Sequence, residues 1–312
     1  MSAEDISRVI ACIKSLWDHS DKLEIAIEAN PADANETKWK AYRDVDVNRL
    51  SLGIQSFDSQ VLKWLGRDHD DVMAHEAARL GKDVFPSVSL DLIFGHNGQT
   101  AKDWERDLKQ ALIYEPHHIS AYQLTVEPGT SFARAESRGQ KKAINNDKSA
   151  ELYEQTCNLL KQKGYAHYEV SNFAKEAHKS QHNLSYWRGY DYVGVGPGAH
   201  GRYTKNKQKI ATVASLRPND YVKAVKEFGT GIHEREALSI NDHGNEYVMM
   251  GLRITDGFSH THYQEITGHS LPEDVLAQFI QMGFLKQSGD FISATKSGRN
   301  VLNTLCQKLL GA

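Results

Sequence analysis

Residues 87–95 read SVSLDLIFG, and residues 49–55 read RLSLGIQ. Each is a short run rich in apolar and β-branched side chains and closed by turn-forming residues, the pattern of a strand. Between them, 70–82 reads as a helix. Working outward, LEIAIEA (23–29) alternates apolar and polar residues and reads as a strand, followed by a short helix over 36–43. On the other side a helix spans 101–115 and a strand, HISAYQLT, spans 118–125. Strands alternating with helices of this length predict βαβ units and a parallel sheet. Their apolar runs predict burial on both faces. The chain opens on a helix: Ser2 with Asp5 three positions on forms a capping-box pattern, and Ile6, Val9, Ile10, Ile13 and Leu16 recur at helical spacing. No strand precedes this helix, and four strand–helix units are visible where a complete (β/α)8 barrel has eight.

Residues 126–146 are polar and turn-rich and read as a loop or lid. A helix (147–163) and a strand, YAHYEVSNF (165–173), follow, and 174–234 reads as irregular, with Gly and aromatic residues interleaved. From about 236 the composition shifts. Helices are expected over 243–254, 260–267, 272–282 and 295–309, with a β-hairpin in FLKQSGDFISA (284–294). This is a winged-helix pattern, but the segment lacks the basic stripe that DNA binding requires, so no nucleic-acid partner is expected. The expected division is 1–165, a barrel; 166–235, a connecting region; and 236–312, a winged-helix-like domain.

The 312 residues are 40% hydrophobic and 25% charged, with a net charge of −3, an ordinary composition for a soluble protein with a sizeable core. No stretch approaches the roughly 18 apolar residues of a membrane span. The first ten residues, MSAEDISRVI, lack the basic and apolar regions of a signal peptide, so a cytoplasmic location is expected. The three cysteines, Cys12, Cys157 and Cys306, form no CxxC or CxxxC pair, and their odd number argues against a disulfide framework. Each falls in an apolar helical pattern and is expected to act as a small core residue.

In parallel α/β folds ligands lie at the C-terminal ends of the strands. Glu28 ends the first visible strand, Gln55 the second, Asp91 lies inside the third and Thr125 closes the fourth, while Arg67 follows the second strand in LGRDH. Such residues suit a ligand with an amine, a carboxylate and a ribose, and they equally serve as structural networks in a barrel mouth. In HNLSYW (182–187), His182 stands close to Tyr186 and Trp187, an imidazole beside flat apolar rings. Haem iron takes histidine readily and aromatic rings cover a porphyrin well, although a lone histidine also serves as a hydrogen-bonded structural residue. GVGPGAHG (194–201) lacks the GK[ST] ending of a P-loop and reads as a tight turn packed close to the barrel.

Taken in order, IEANP (27–31), NRLSLGIQSF (48–57), SLDLIFG (89–95), ISAYQLTVEPGT (119–130), YEVSNFA (168–174), HNLSYW and GVGPGAHG resemble radical-SAM proteins of the oxygen-independent coproporphyrinogen oxidase group. The HNxxYW signature makes the resemblance strongest to the HemW-type haem chaperones. The resemblance implies an α/β fold: an N-terminally truncated partial (β/α)6 radical-SAM barrel with a small C-terminal winged-helix-like α domain that binds no DNA. It implies S-adenosylmethionine at Glu28, Gln55, Arg67, Asp91 and Thr125, haem iron on His182, and a haem-accepting protein as partner. Two function classes follow, a haem-delivering chaperone and an oxygen-independent coproporphyrinogen III oxidase-like oxidoreductase; a third is a remnant of structural or regulatory use.

Two departures matter. The family holds a [4Fe–4S] cluster on a CxxxCxxC motif near its N-terminus, and this chain has no such motif, so it is not expected to bind the cluster. Reductive cleavage of S-adenosylmethionine takes an electron from that cluster, so radical chemistry is not expected either, whereas haem binding through His182 does not need it. Second, FGHNGQT (94–100) replaces a family YGLPGQT, putting His96 for an apolar residue and Asn97 for Pro; Asn tolerates turn conformations, so the turn should survive. The strand at 23–29 should stand at a sheet edge, because its expected neighbour would come earlier in the chain. In-frame DNA upstream of Met1 should encode about two further strand–helix units carrying the cysteine motif, by the same (β/α) reasoning; a stop codon directly before Met1, with no such motif nearby, would overturn this.

Overall fold

Helix α1 (Ala3–Leu16) begins on the expected capping box: Ser2 Oγ accepts from the Asp5 N–H at 3.1 Å, and the Asp5 carboxylate accepts from the Ser2 N–H at 3.3 Å. None of its residues is buried, and Cys12 is exposed rather than in the core, a correction to the periodicity argument. The computed structural model describes residues 1–311, and contacts divide the chain between Lys179 and Ser180 into two units.

The first unit continues with β1 (Ala26–Ala29), α2 (Glu36–Asp44), β2 (Arg49–Gln55), α3 (Ser59–Trp64), α4 (Asp71–Val84), β3 (Ser87–Phe94), α5 (Ala101–Ile113), β4 (His118–Gln123), α6 (Ser131–Glu136), α7 (Asn146–Gln162), β5 (Ala166–Glu169) and β6 (Asn172–Ala174). The six strands form one sheet in the order β1-β2-β3-β4-β6-β5. The first four are parallel; β6 runs antiparallel to β4 and to β5. Among the described residues β1 stands at the sheet edge, as expected. The single strand expected over 165–173 is instead a hairpin, because Val170 and Ser171 turn the chain back within it.

Both faces of the sheet are covered, but only one is apolar: Arg49, Ser89, His118 and Ser120 are buried on the polar face. Leu50, Leu52 and Ile54 of β2, Val88, Leu90, Leu92 and Phe94 of β3, and Ile119 and Ala121 of β4 are buried on one face, against Trp39, Ala74, Ala77, Ala78, Trp104 and Leu108 of the helices. The residues between them are largely polar and face the other way, as period-2 geometry requires. Helix α4 lies tight on the sheet: a Cβ added at Gly81 would sit 2.8 Å from Leu50 Cδ2. That approach is why small residues dominate its buried face.

The second unit contains α8 (Gln181–Trp187), β7 (His200–Lys205), β8 (Gln208–Ala214), α9 (Pro218–Phe228), β9 (Ile232–Ala237), α10 (Ile240–Gly251), β10 (Phe258–Ser259), α11 (His260–Thr267), α12 (Glu273–Gln281), β11 (Leu285–Ser288), β12 (Phe291–Ala294), α13 (Lys296–Arg299) and α14 (Leu302–Leu310). The region 174–234, read as irregular, thus holds two helices and an antiparallel sheet of order β7-β8-β9 completed by β9. Its hairpin turns on Asn206 and Lys207, both with positive φ (51° and 65°), as the favoured two-residue turn demands, but without the glycine that flags it in a sequence. The expected C-terminal hairpin is present as β11 and β12, joined by β10 in a three-stranded sheet. The helix expected over 295–309 is broken into α13 and α14 at Asn300 and Val301.

One core contact gives a direct test. The Trp104 indole N–H donates to Thr156 Oγ1 at 2.7 Å, and that hydroxyl donates to the Leu152 carbonyl at 2.7 Å, with both residues fully buried. Thr156→Val keeps the shape and strands the indole N–H. It should lower stability by about 1–3 kcal/mol, read as a lower urea midpoint with an unchanged slope.

Candidate functional site

The face of the first sheet opposite the helices is built from polar side chains in lateral register. Glu28 of β1 lies opposite Ser51 of β2, Ser51 opposite Ser89 of β3, and Asp91 opposite Ser120 of β4. Serines keep this face shallow and supply hydroxyls that donate or accept as needed.

Proton bookkeeping fixes the direction of the central network. Ser89 Oγ lies 2.9 Å from Asp91 Oδ1, 2.7 Å from His118 Nδ1 and 3.3 Å from Ser120 Oγ. The single Ser89 proton goes to the carboxylate, so Ser89 accepts from His118 Nδ1–H. His118 Nε2 is then an acceptor, and the Tyr168 hydroxyl donates to it at 2.8 Å. A relay therefore runs from Tyr168 through His118 and Ser89 to Asp91, whose second oxygen accepts from Ser51 Oγ at 2.7 Å. Burial, then Arg49 and His178, hold the His118 imidazole well below its usual range, which keeps it neutral as the relay requires. Burial pushes the Asp91 carboxyl up, opposed by the serine hydroxyls and reinforced by the negative charge of Glu28.

The residues expected at a ligand site divide into two groups. Glu28 and Asp91 share the polar face. Gln55 ends β2 with a φ of 66°, and its amide Nε2 lies 3.0 Å from where a Cβ on Gly53 would be, so glycine leaves it room. Thr125 lies exposed two residues past β4, its hydroxyl donating to the Gln123 carbonyl at 3.4 Å. Arg67 is exposed in the turn between α3 and α4, its backbone N–H donating to the Leu62 carbonyl at 3.0 Å. Missed by the sequence reading were Ser51, Ser89, His118 and Tyr168; the alternation of small polar residues with Leu in SLSLD-like runs carried a signal for the serines alone.

The turn after β3 survives its substitutions. Gln99 Oε1 accepts from the Gly95 N–H at 2.6 Å, the Asn97 N–H donates to the Lys142 carbonyl at 2.8 Å, and the Ile144 N–H donates to the Gly95 carbonyl at 2.9 Å. The segment read as a lid is thus anchored to the strand end. His96 packs on Trp64, whose ring also meets Phe132 at 4.8 Å between centroids.

In the second unit, Ser180 caps α8 by accepting from the Asn183 N–H at 3.2 Å. His182 meets the Tyr186 ring edge-on at 4.7 Å, and Tyr186 meets Tyr192 edge-on at 4.4 Å. The GVGPGAHG turn closes on itself: a Cβ at Gly194 would fall 2.1 Å from the His200 carbonyl oxygen, so only glycine fits there. The cysteines stand on three helices, Cys12 on α1, Cys157 half-buried on α7 and Cys306 buried on α14. Among the described residues no three His, Cys, Asp or Glu side chains group as metal ligands. The donor set of a thiolate-held cluster is therefore not assembled by the described residues. No helix among the described residues is long and apolar enough to cross a membrane.

Against this geometry, the family model of the radical SAM superfamily matches residues 2–111, and that of the HemN C-terminal domain matches residues 238–301. The structure of coproporphyrinogen III oxidase (HemN) from Escherichia coli, a radical SAM enzyme, superposes with a TM-score of 0.76 at 19% identity, covering 98% of this chain and 74% of that one. The fold is that of a radical-SAM protein. The heme chaperone HemW of Haemophilus influenzae is 33% identical over 313 residues, 99% of this chain and 79% of its own length. The mitochondrial radical S-adenosyl methionine domain-containing protein 1 of Danio rerio is 35% identical over 264 residues, of which this chain spans 60% of the relative's length. The chain belongs to the HemW family of radical-SAM proteins.

The Asp91 network predicts a pH signature. A carboxyl raised by burial keeps its proton in the folded chain where the unfolded chain has released it. The folded state then binds more protons, so stability falls as pH climbs from the ordinary carboxylate value of about 4 through the raised native value. Asp91→Asn removes this term, so its urea midpoint relative to the native chain should rise across that interval and then level off. A constant offset at every pH would exclude burial of the Asp91 charge as the cause.

Proposed function

We propose that this chain carries haem in the cytoplasm and hands it to a recipient protein, with S-adenosylmethionine held on the polar face of the first sheet. The observation that carries this reading is the HNLSYW segment, in a chain similar over nearly its whole length to proteins named heme chaperones. His182 is the axial ligand, and the Tyr186 and Trp187 rings flank the macrocycle. Delivery is a ligand exchange, in which a donor atom of the recipient replaces the imidazole on iron. Histidine suits that task, because a neutral imidazole binds iron and leaves without changing its own charge.

For S-adenosylmethionine, Glu28 and Asp91 place negative charge where a sulfonium and an ammonium would lie, and Gln55 and Thr125 offer an amide and a hydroxyl. Arg67, exposed beyond the end of β2, would have to swing its side chain toward the polar face to pair with the methionyl carboxylate. When bound, the cofactor supplies a sulfonium cation; the residues of this chain orient it. The second reading, a coproporphyrinogen III oxidase-like enzyme, needs an electron from an iron–sulfur cluster. The separate placement of Cys12, Cys157 and Cys306 weighs against it.

The test is titration of the chain with haem, followed by its Soret absorbance. His182→Ala should weaken binding by roughly a hundredfold, the equivalent of a few kcal/mol at about 1.4 kcal/mol per decade. Equal affinities would return His182 to a structural role.

A further inference from the structure

At the N-terminal ends of β3 and β4 lies a cluster of nitrogen bases that the Asp91 network does not use. His117, one residue before β4, stacks on His178 with ring centroids 4.3 Å apart. His178 Nδ1 lies 3.1 Å from Ser87 Oγ, and Arg49 Nη1 donates to the His178 carbonyl at 3.0 Å. Lys82, in the last turn of α4, brings its Nζ to 3.1 Å from His117 Nε2. Lys175, just past β6, is close enough for its charge to bear on Lys82. Its own Nζ is fixed, donating to the Glu115 carbonyl at 3.3 Å and lying 5.5 Å from the centroid of the Tyr165 ring.

The backbone decides which nitrogen of His117 carries the proton. The Val88 carbonyl accepts from the His117 backbone N–H at 3.0 Å, and the Val88 N–H, on the same side of the strand, donates to His117 Nδ1 at 3.2 Å. Val88 is buried, so that N–H has to be paired. Burial first, then the charges of Lys82, His178, Lys175 and Arg49, bring His117 down to about 4, so at neutral pH its ring holds a single proton. With Nδ1 accepting, that proton sits on Nε2 and faces Lys82. An ammonium there would set donor against donor; the contact is a hydrogen bond only when Lys82 Nζ offers a lone pair. The surroundings act in the same direction. Burial, then the charge of Lys175, lowers Lys82, against the opposing pull of Glu115 and of the carbonyls that end α4. Lysine sheds its proton readily when partly buried beside another cation, and the amine so released is a nucleophile. Lys82 is half-buried rather than enclosed, so a small reagent reaches it, and an anionic leaving group is favoured by Lys175.

We infer that Lys82 is a nucleophilic lysine, set by its contact with His117 and by the neighbouring Lys175, and a site of acylation by acyl phosphates. The Nζ lone pair forms the C–N bond to the acyl carbon. The C–O bond to phosphate breaks, phosphate leaves with that electron pair, and a proton passes from Nζ to the phosphate. The amide product is uncharged, so the repulsion with Lys175 disappears. His117 and Lys175 are positioning residues for this step. The inference is independent of the haem-carrying reading above.

The experiment incubates the full chain with acetyl phosphate and follows acetylation of each lysine by peptide mass spectrometry. Lys40 is the internal reference: it is exposed, and Glu36 at 2.6 Å holds it as an ammonium. At neutral pH Lys82 should be acetylated roughly tenfold faster than Lys40, and its rate should fall less steeply as pH is lowered. His117→Asn leaves an acceptor for the Val88 N–H and removes the N–H that faces Lys82; Lys175→Gln removes the neighbouring charge. Each should slow Lys82 several-fold and leave Lys40 unchanged, with the fold of each variant checked by circular dichroism. Should His117→Asn fail to fold, Lys175→Gln alone decides. In urea Lys82 and Lys40 should react alike. A Lys82 rate no greater than that of Lys40, a rate that no folded variant slows, or a preference that survives in urea overturns the inference.

Discussion

In β2, β3 and β4, apolar side chains occupy alternate positions, and helices α4 and α5 pack on the face they form. Everything else in the first unit follows from that parity. The close approach at Gly81 presses α4 onto Leu50, so the sheet cannot turn its other face inward. Ser51, Ser89, Asp91, His118 and Ser120 are then left together on the far side. A slip of one residue in β3 would put Asp91 into the leucine layer and a leucine among the serines. Core and candidate site are thus two outcomes of one register, and neither can change alone.

Much of the first unit was legible because its elements are long and its periods clean. Strand β2 and helix α4 lie within two residues of where the sequence puts them. The β5–β6 hairpin was hidden because a short hairpin with no Gly, Pro or Asn at its turn reads as one strand. The second unit was harder. Its β7–β8 turn uses Asn206-Lys207, so no glycine announces it. At the candidate site Asp91 was legible as a polar residue inside an apolar strand. The rest of its network was not: His118 and Tyr168 are 50 positions apart, and only the pairing of β4 with β6 brings the hairpin to the sheet. Arg67 was chosen for its place after a strand, which says nothing about where its side chain ends.

The two units divide the chemistry between them. In the first, a neutral histidine and a buried carboxyl, pushed up by burial, sit behind one another along hydrogen bonds. In the second, histidines stand beside aromatic rings, and Arg202 ties β7 to α10 through a two-pronged pair with Glu246 at 3.0 and 3.2 Å. That contact holds the sheet that carries Lys209 near the helix that carries His243 and Tyr247. Neither network asks for a thiolate, so the positions of the cysteines constrain neither.

The order of strands in the first sheet bears on how the chain is made. From β1 to β4 each strand lies beside its predecessor, so every new strand leaving the ribosome finds its partner already waiting. The sequence is broken once, where β6 rather than β5 takes the place next to β4. Strand β5 must therefore be synthesised and held outside until the residues after it have emerged, and Tyr168, which donates into the Asp91 network from β5, arrives with it. The relay is in this sense a completion signal: its last hydrogen bond can form only after the whole sheet has been laid down.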